Sequence, residues 1–165
     1  MATLTEMEES VSSYTARAAE KLRAEQMAVT VLTVFLHTNQ FQDTPQYSNS
    51  ITLKLPVATD TTQELIRSAL LGIRKIYRDG FAYKKVGIML TGLVPASQVQ
   101  TDLFDQHDRA RSKKLMTALD SINNRFGSGT LHYASNGITK AWRTQFRHRS
   151  PAYTTSWDDL PIVKA

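Results

Sequence analysis

The chain has 165 residues, with 20 Lys and Arg against 15 Asp and Glu, a formal net charge of +5. That length suits one domain, or one domain with an appendage, and can bury a core. Hydrophobic content of 41% with 21% charged residues argues for a folded chain. The absence of cysteine excludes a disulfide scaffold, a Cys-ligated zinc site and a thiol nucleophile. No apolar run approaches a membrane span, and the N-terminal residues lack a signal pattern, so a cytoplasmic setting is expected.

The charge is uneven. Residues 1–99 hold 10 basic and 9 acidic side chains, and residues 100–165 hold 10 and 6. No acid lies between Asp120 and Asp158, a stretch that includes Arg125, Lys140, Arg143, Arg147 and Arg149. A basic, acid-free stretch points to a polyanionic partner.

In chain order, residues 3–26 read as a helix. Thr3 with Glu6, or Thr5 with Glu8, has capping-box spacing. Met7, Val11, Tyr14, Ala18 and Leu22 recur at three and four residues as one apolar stripe. Residues 29–38 are β-branched and aromatic, a strand. A loop over 39–49 joins them to residues 50–57, where Ile51, Leu53 and Leu55 alternate with Ser50, Thr52 and Lys54. A second helix spans 61–79, with a capping box at Thr61 and Glu64 and a stop at Gly80. Residues 83–94 form a third strand, with Val86, Ile88 and Leu90 on one face and Tyr83, Lys85 and Met89 on the other.

The order α-β-β-α-β predicts an α+β domain, an antiparallel sheet with both helices on one face. The other face would carry Thr33, Phe35, His37, Thr52, Lys54, Tyr83 and Lys85. It could hold a nucleic-acid backbone, and a merely solvated face reads equally well. Residues 96–108 read as a linker. Residues 109–126 form a third helix with the stripe Leu115, Leu119, Ile122 and Phe126, ended by Gly127-Ser-Gly129. A short strand over 130–134 is possible by composition. Beyond it, Trp142, Phe146, Tyr153 and Trp157 stand among bases without a clear period.

Gln100-Thr101-Asp102-Leu103-Phe104 puts two large apolar residues on a polar linker. In an extended peptide, Leu103 and Phe104 could enter an apolar pocket while Gln100 anchors by hydrogen bonds. On its residues alone, a loop folding back on its own core is the plainer reading. No two of His37, His107, His132 and His148 share metal-ligand spacing, no phosphate loop or nucleophile elbow occurs, and no recognisable active site is present.

Three segments then align with a family. Arg17-Ala-Ala-Glu-Lys-Leu-Arg23, Asn49-Ser-Ile-Thr-Leu-Lys-Leu55 and Tyr83-Lys-Lys-Val-Gly-Ile-Met-Leu90 together resemble the little-finger domain of Y-family translesion DNA polymerases. Gln100-Thr-Asp-Leu-Phe104 resembles a sliding-clamp-binding pentapeptide. Leu115-Met-Thr-Ala-Leu-Asp-Ser-Ile-Asn-Asn124, Gly129-Thr-Leu-His-Tyr133, Gly137-Ile138 and Ser150-Pro-Ala-Tyr-Thr-Thr155 are similar to the C-terminal extension of the UmuC branch.

The resemblance implies a little finger over 1–94, a clamp-binding linker over 95–108 and the branch-specific extension over 109–165. It implies DNA contact through Lys54 and Lys85, with Thr33, His37 and Thr52 beside them, although the face is less basic than usual for the family. It implies clamp contact through Gln100, Thr101, Asp102, Leu103 and Phe104. It further implies damaged primer-template DNA, the β sliding clamp, a UmuD′ dimer and the recombinase filament as partners. Lys140, Arg143, Arg147 and Arg149 offer a possible basic tail surface. A contrasting reading makes the chain a protein-interaction module for UmuD′ or the recombinase, with DNA contact incidental.

The polymerase's catalytic carboxylates, which would use Mg2+, have no counterpart here, so a noncatalytic fragment is expected. The family's little finger also starts with a strand before its first helix. In the βαββαβ order that strand sits inside the sheet, so its absence leaves a gap with unpaired edges, expected to be filled by the segment near Leu131, a neighbouring chain or a rearranged sheet.

Overall fold

A computed structural model describes residues 3–100, 105, 107–140, 142 and 150–161. The order is α1 (Leu4–Ala24), β1 (Met27–Thr38), β2 (Ser48–Thr59), α2 (Thr62–Ile76), β3 (Tyr83–Pro95) and α3 (Arg109–Phe126). Short 3-10 turns stand at Ala96–Gln98, Ala134–Asn136 and Trp157–Asp159. The fold is α+β, and the strands form one antiparallel sheet ordered β2-β1-β3.

Thr3 starts α1 with a complete capping box. Its hydroxyl accepts from the Glu6 amide, and the Glu6 carboxylate accepts from the Thr3 amide, both at 3.3 Å. Thr61 caps α2 by position but makes no side-chain cap bond; its amide donates to the Thr59 hydroxyl, and the Glu64 carboxylate pairs with Arg109. The helices pack on one side of the sheet. Met7, Val11 and Leu22 of α1 and Leu65, Ala69, Ile73 and Ile76 of α2 meet Leu32, Val34 and Leu36 of β1. Tyr14, expected in the α1 stripe, is 41% exposed on its flank. Gly72 lets α2 lie close to the sheet, where a Cβ would come within 2.9 Å of Val34 Cγ2.

The sheet has no internal gap, since β1 pairs with both neighbours along most of its length. Among the described residues the outer edges of β2 and β3 remain unpaired, which corrects the expectation of a filled gap. Nothing near Leu131 is a strand. Both the N–H and the carbonyl of Leu131 are taken by the Asn123 side chain, at 2.8 and 3.0 Å, so its backbone is unavailable to a ladder.

Two irregularities reset the side-chain alternation. The β1–β3 register steps from His37 opposite Lys85 to Thr38 opposite Tyr83, leaving Lys84 as the extra residue of a bulge. Tyr83 therefore enters the core at 3% exposure rather than joining the open face. Its hydroxyl donates to the Arg78 carbonyl at 2.7 Å and accepts from the Arg78 amide at 3.0 Å. Burial pushes the Tyr83 phenol above its ordinary pKa, although the bond to the Arg78 backbone opposes this. The second irregularity lies between Val29 and Val31, opposite Pro56, which has no N–H for a ladder.

The α3 stripe is also corrected. Leu115 and Phe126 are 55% and 64% exposed, while Met116 and Asn123 are buried. Asn123 closes on the Leu131 backbone, and the Asp120 carboxylate meets Arg23 of α1.

Candidate nucleic-acid interface and the docked extension

The sheet face opposite the helices is set by register. Along β1, Val31, Thr33, Phe35 and His37 stand opposite Lys54, Thr52, Ser50 and Ser48 of β2. On the other side they stand opposite Thr91, Met89, Gly87 and Lys85 of β3. None of these twelve positions is acidic. Phe35 lies over Gly87, where a Cβ would come 2.5 Å from the ring's Cζ. Only glycine leaves room for the ring across this pair.

Thr33 and Thr52 share a hydroxyl hydrogen bond of 2.9 Å, and Thr33 is 9% exposed. His37 Nδ1 lies 2.9 Å from the Thr38 carbonyl, which can only accept, so Nδ1 carries the proton. Lys54 and Lys85 are exposed, on the two outer strands. Their partners on β1 are Val31 and His37, about 20 Å apart along the strand at ~3.3 Å per residue. The two ammonium groups therefore suit separate phosphates.

The extension is seated on the helical layer. Arg23 of α1 places four of its five guanidinium N–H groups there. Its Nε and Nη2 donate to Asp120 of α3 at 2.6 and 2.7 Å. Its Nη1 donates to the Asp60 carbonyl and the Thr62 hydroxyl, both at 2.8 Å. One side chain thus joins α1, the start of α2, and α3. The fork-to-carboxylate geometry is the strongest arginine pairing.

Arg109, at the start of α3, forms a second junction. Its Nε donates to Asp105 at 2.7 Å, and its Nη1 reaches Glu64 of α2 at 3.1 and 3.2 Å. The side-chain bond from Arg109 is the main cause holding the Asp105 carboxyl below its usual range. Burial alone would lower the Arg109 pKa, but the bonds to Asp105 and Glu64 outweigh it and raise it. A third junction sits at the 3-10 turn of the extension. The Ser12 hydroxyl donates to Asn136 Oδ1 at 2.8 Å and pairs with the Ser135 hydroxyl at 2.6 Å.

Among the clamp-motif residues, Gln100 is exposed beyond the end of β3. Thr101, Asp102, Leu103 and Phe104 lie outside the described residues, as do Arg143, Arg147 and Arg149. Lys140 is half-buried with φ +45°. The structure brings Lys54, Thr52, Thr33, His37 and Lys85 onto one face. Sequence reasoning missed the arginine junctions. Arg23 and Asp120 are 97 residues apart, and no local pattern links them. Among the described residues, no three His, Asp or Glu side chains are grouped so as to hold a metal ion. Nor is any helix of the described residues long and apolar enough to cross a membrane.

Residues 1–103 match the impB/mucB/samB family C-terminal domain. The chain belongs to that family. Residues 113–163 of this impB/mucB/samB chain match a domain of unknown function, DUF4113. The Arg23–Asp120 fork therefore ties one matched region to the other, and the Asp105–Arg109 pair lies between them. The chain is 40% identical over 161 residues to Protein UmuC of Salmonella typhimurium, covering 96% of this chain and 38% of that protein. It is 40% identical over 164 residues to Protein MucB of Escherichia coli, covering 98% and 38%. A shorter match, 35% over 80 residues, covers 48% of this chain and 20% of DNA polymerase IV from Moorella thermoacetica. The chain thus spans under two fifths of the length of the UmuC and MucB relatives.

Proposed function

We propose that this chain is the noncatalytic, DNA-holding portion of an error-prone translesion DNA polymerase, acting in DNA repair and SOS mutagenesis. In this reading the open sheet face lies on the backbone of primer-template DNA, and residues 100–104 dock on a sliding clamp. The observation that carries it is the acid-free sheet face, with Lys54 and Lys85 on opposite outer strands and a core of hydroxyls and Phe35 between them. Contacts of this kind go to phosphates and position the protein without reading sequence. The likeness to proteins named UmuC, MucB and DNA polymerase IV supports the same class.

A second reading keeps the chain as a protein-interaction module for UmuD′ or the recombinase. The outward Leu115 and Phe126 of α3 favour it, because they are large apolar groups left exposed on a helix. Titrating primer-template DNA at several salt concentrations separates the two. The first predicts a steep salt slope that flattens by roughly two units when Lys54 and Lys85 become Ala. Flat curves, unchanged by those substitutions, would give the chain to the second. In parallel, Leu103→Ala with Phe104→Ala should abolish retention on immobilised clamp, and retained binding would remove the clamp motif.

A further inference from the structure

A cavity of about 410 Å³ opens between α1 and the extension, on the helical side of the molecule, away from the open sheet face. Its wall brings Tyr14 and Arg17 of α1 to His132, Lys140 and Trp142 of the extension. Tyr14 and Trp142 meet edge to face, with ring centroids 5.6 Å apart at 73°. The Trp142 Nε1 hydrogen is buried without a hydrogen-bond partner. An indole N–H can only donate, and a buried donor left unpaired is unfavourable until an acceptor arrives. Arg17 is exposed, so its charge is available to a ligand. The Arg23 guanidinium on the same wall already spends four of its five N–H groups on Asp120, Asp60 and Thr62. Glu20 is the acidic residue of the wall.

We propose that this cavity is a second nucleic-acid site, taking one unpaired nucleotide of a single strand of DNA. The base packs against Tyr14 and Trp142, and the flanking phosphates run along Arg17 and Lys140. The volume suits a ligand of nucleotide size and is far too small for a duplex. The combination of ring faces with cations is how proteins hold single strands without reading sequence. An acidic peptide could use the cations but would leave the aromatic surface without a flat partner. The sequence around the cavity agrees, since no acid lies between Asp120 and Asp158. The site is separate from the sheet face and does not depend on that face binding DNA.

The full chain carrying Trp157→Phe tests this, because Trp157 is 88% exposed and would otherwise mask Trp142 emission. It is titrated with an oligothymidylate of about 12 nucleotides, a span typical of single-strand sites. A blunt duplex and a Glu-rich peptide of equal charge are run beside it. The oligothymidylate should quench Trp142 saturably, and the other two should not. Arg17→Glu with Lys140→Glu should weaken that binding by roughly tenfold or more. Arg17→Ala, on an exposed helix position, should weaken it less and serves if the double variant misfolds. With Trp157 replaced, the signal is local to Trp142, so it reports this cavity whether or not the sheet face also holds DNA. Quenching by the peptide instead, absence of quenching by the oligothymidylate, or an Arg17 variant that binds like the parent would each overturn the assignment.

Discussion

The two halves of this chain are held by different physics. Up to Val94 the fold rests on one apolar cluster in which Leu32, Val34, Leu36, Leu65 and Ile73 are at most 1% exposed. Beyond Val94, Met116 is the only buried apolar side chain among the described residues. The extension is attached by Arg23 to Asp120, by Arg109 to Glu64 and Asp105, and by Ser12 to Asn136. Apolar burial is non-directional and tolerates small shifts, whereas forked ion pairs fix orientation and fail when one partner is lost. The core can thus stand when the extension comes away, while the described residues of the extension bury too little apolar surface to stand without their seat.

The largest effect that would separate the halves is in the core. Leu36→Ala should destabilise the domain by about 3 kcal/mol, the central cost of such a truncation at a fully buried site. Denaturant unfolding followed by circular dichroism should show one transition moved to lower concentration for the whole chain. An unmoved midpoint would mean that the cluster is not what holds the sheet to its helices.

Next comes Asp120→Ala. It removes both acceptors of the Arg23 fork and leaves a half-buried guanidinium with only Asp60 and Thr62. The docking of α3 should weaken by about 2 kcal/mol. Amide exchange at Arg109–Phe126 should accelerate, while exchange along β1 stays slow. If β1 accelerates equally, the two halves are one cooperative unit and the contrast between them fails.

Much of the core half was legible in the sequence. The strand alternation at Ile51, Leu53 and Leu55 follows from a period of 2, and a period of 3.6 marks Leu65, Ile66, Ala69, Leu70, Ile73, Ile76 and Tyr77 of α2, all of them buried except the half-buried Leu70 and Tyr77. The Tyr83 misplacement came from a bulge, which leaves no mark in a strand's alternation except that alternation breaks. The open-face residues were named as types and positions, and register then placed them together. The extension half was hardly legible. The stripe Leu115, Leu119, Ile122, Phe126 is the better apolar pattern, yet Met116 and Asn123 go inward; Asn123 closes on the Leu131 backbone, and the neighbouring Asp120 meets Arg23 of α1. A polar seat selects polar residues, and hydrophobic periodicity cannot detect one. The signal that could have found it is the isolation of Asp120, the last acid before Asp158.

The smallest effect expected is a pH dependence confined to the start of the extension. Arg109 holds the Asp105 carboxyl below its ordinary value of 3.8 in the folded chain. A carboxyl whose folded pKa is depressed contributes stability above its unfolded pKa and loses it as pH falls through the folded value. The Asp105–Arg109 contribution is therefore complete at neutral pH, begins to fade only below 3.8, and is gone once the carboxyl is protonated in both states. Comparing the parent with Asp105→Asn isolates this pair from other carboxylates that titrate in acid. Exchange of the first-turn amides of α3 should be slower in the parent than in the variant at neutral pH, and the difference should vanish in strong acid. A difference that persists after Asp105 is protonated would mean that hydrogen bonding, rather than charge, anchors α3. The extension would then be held less by electrostatics than its arginine junctions imply.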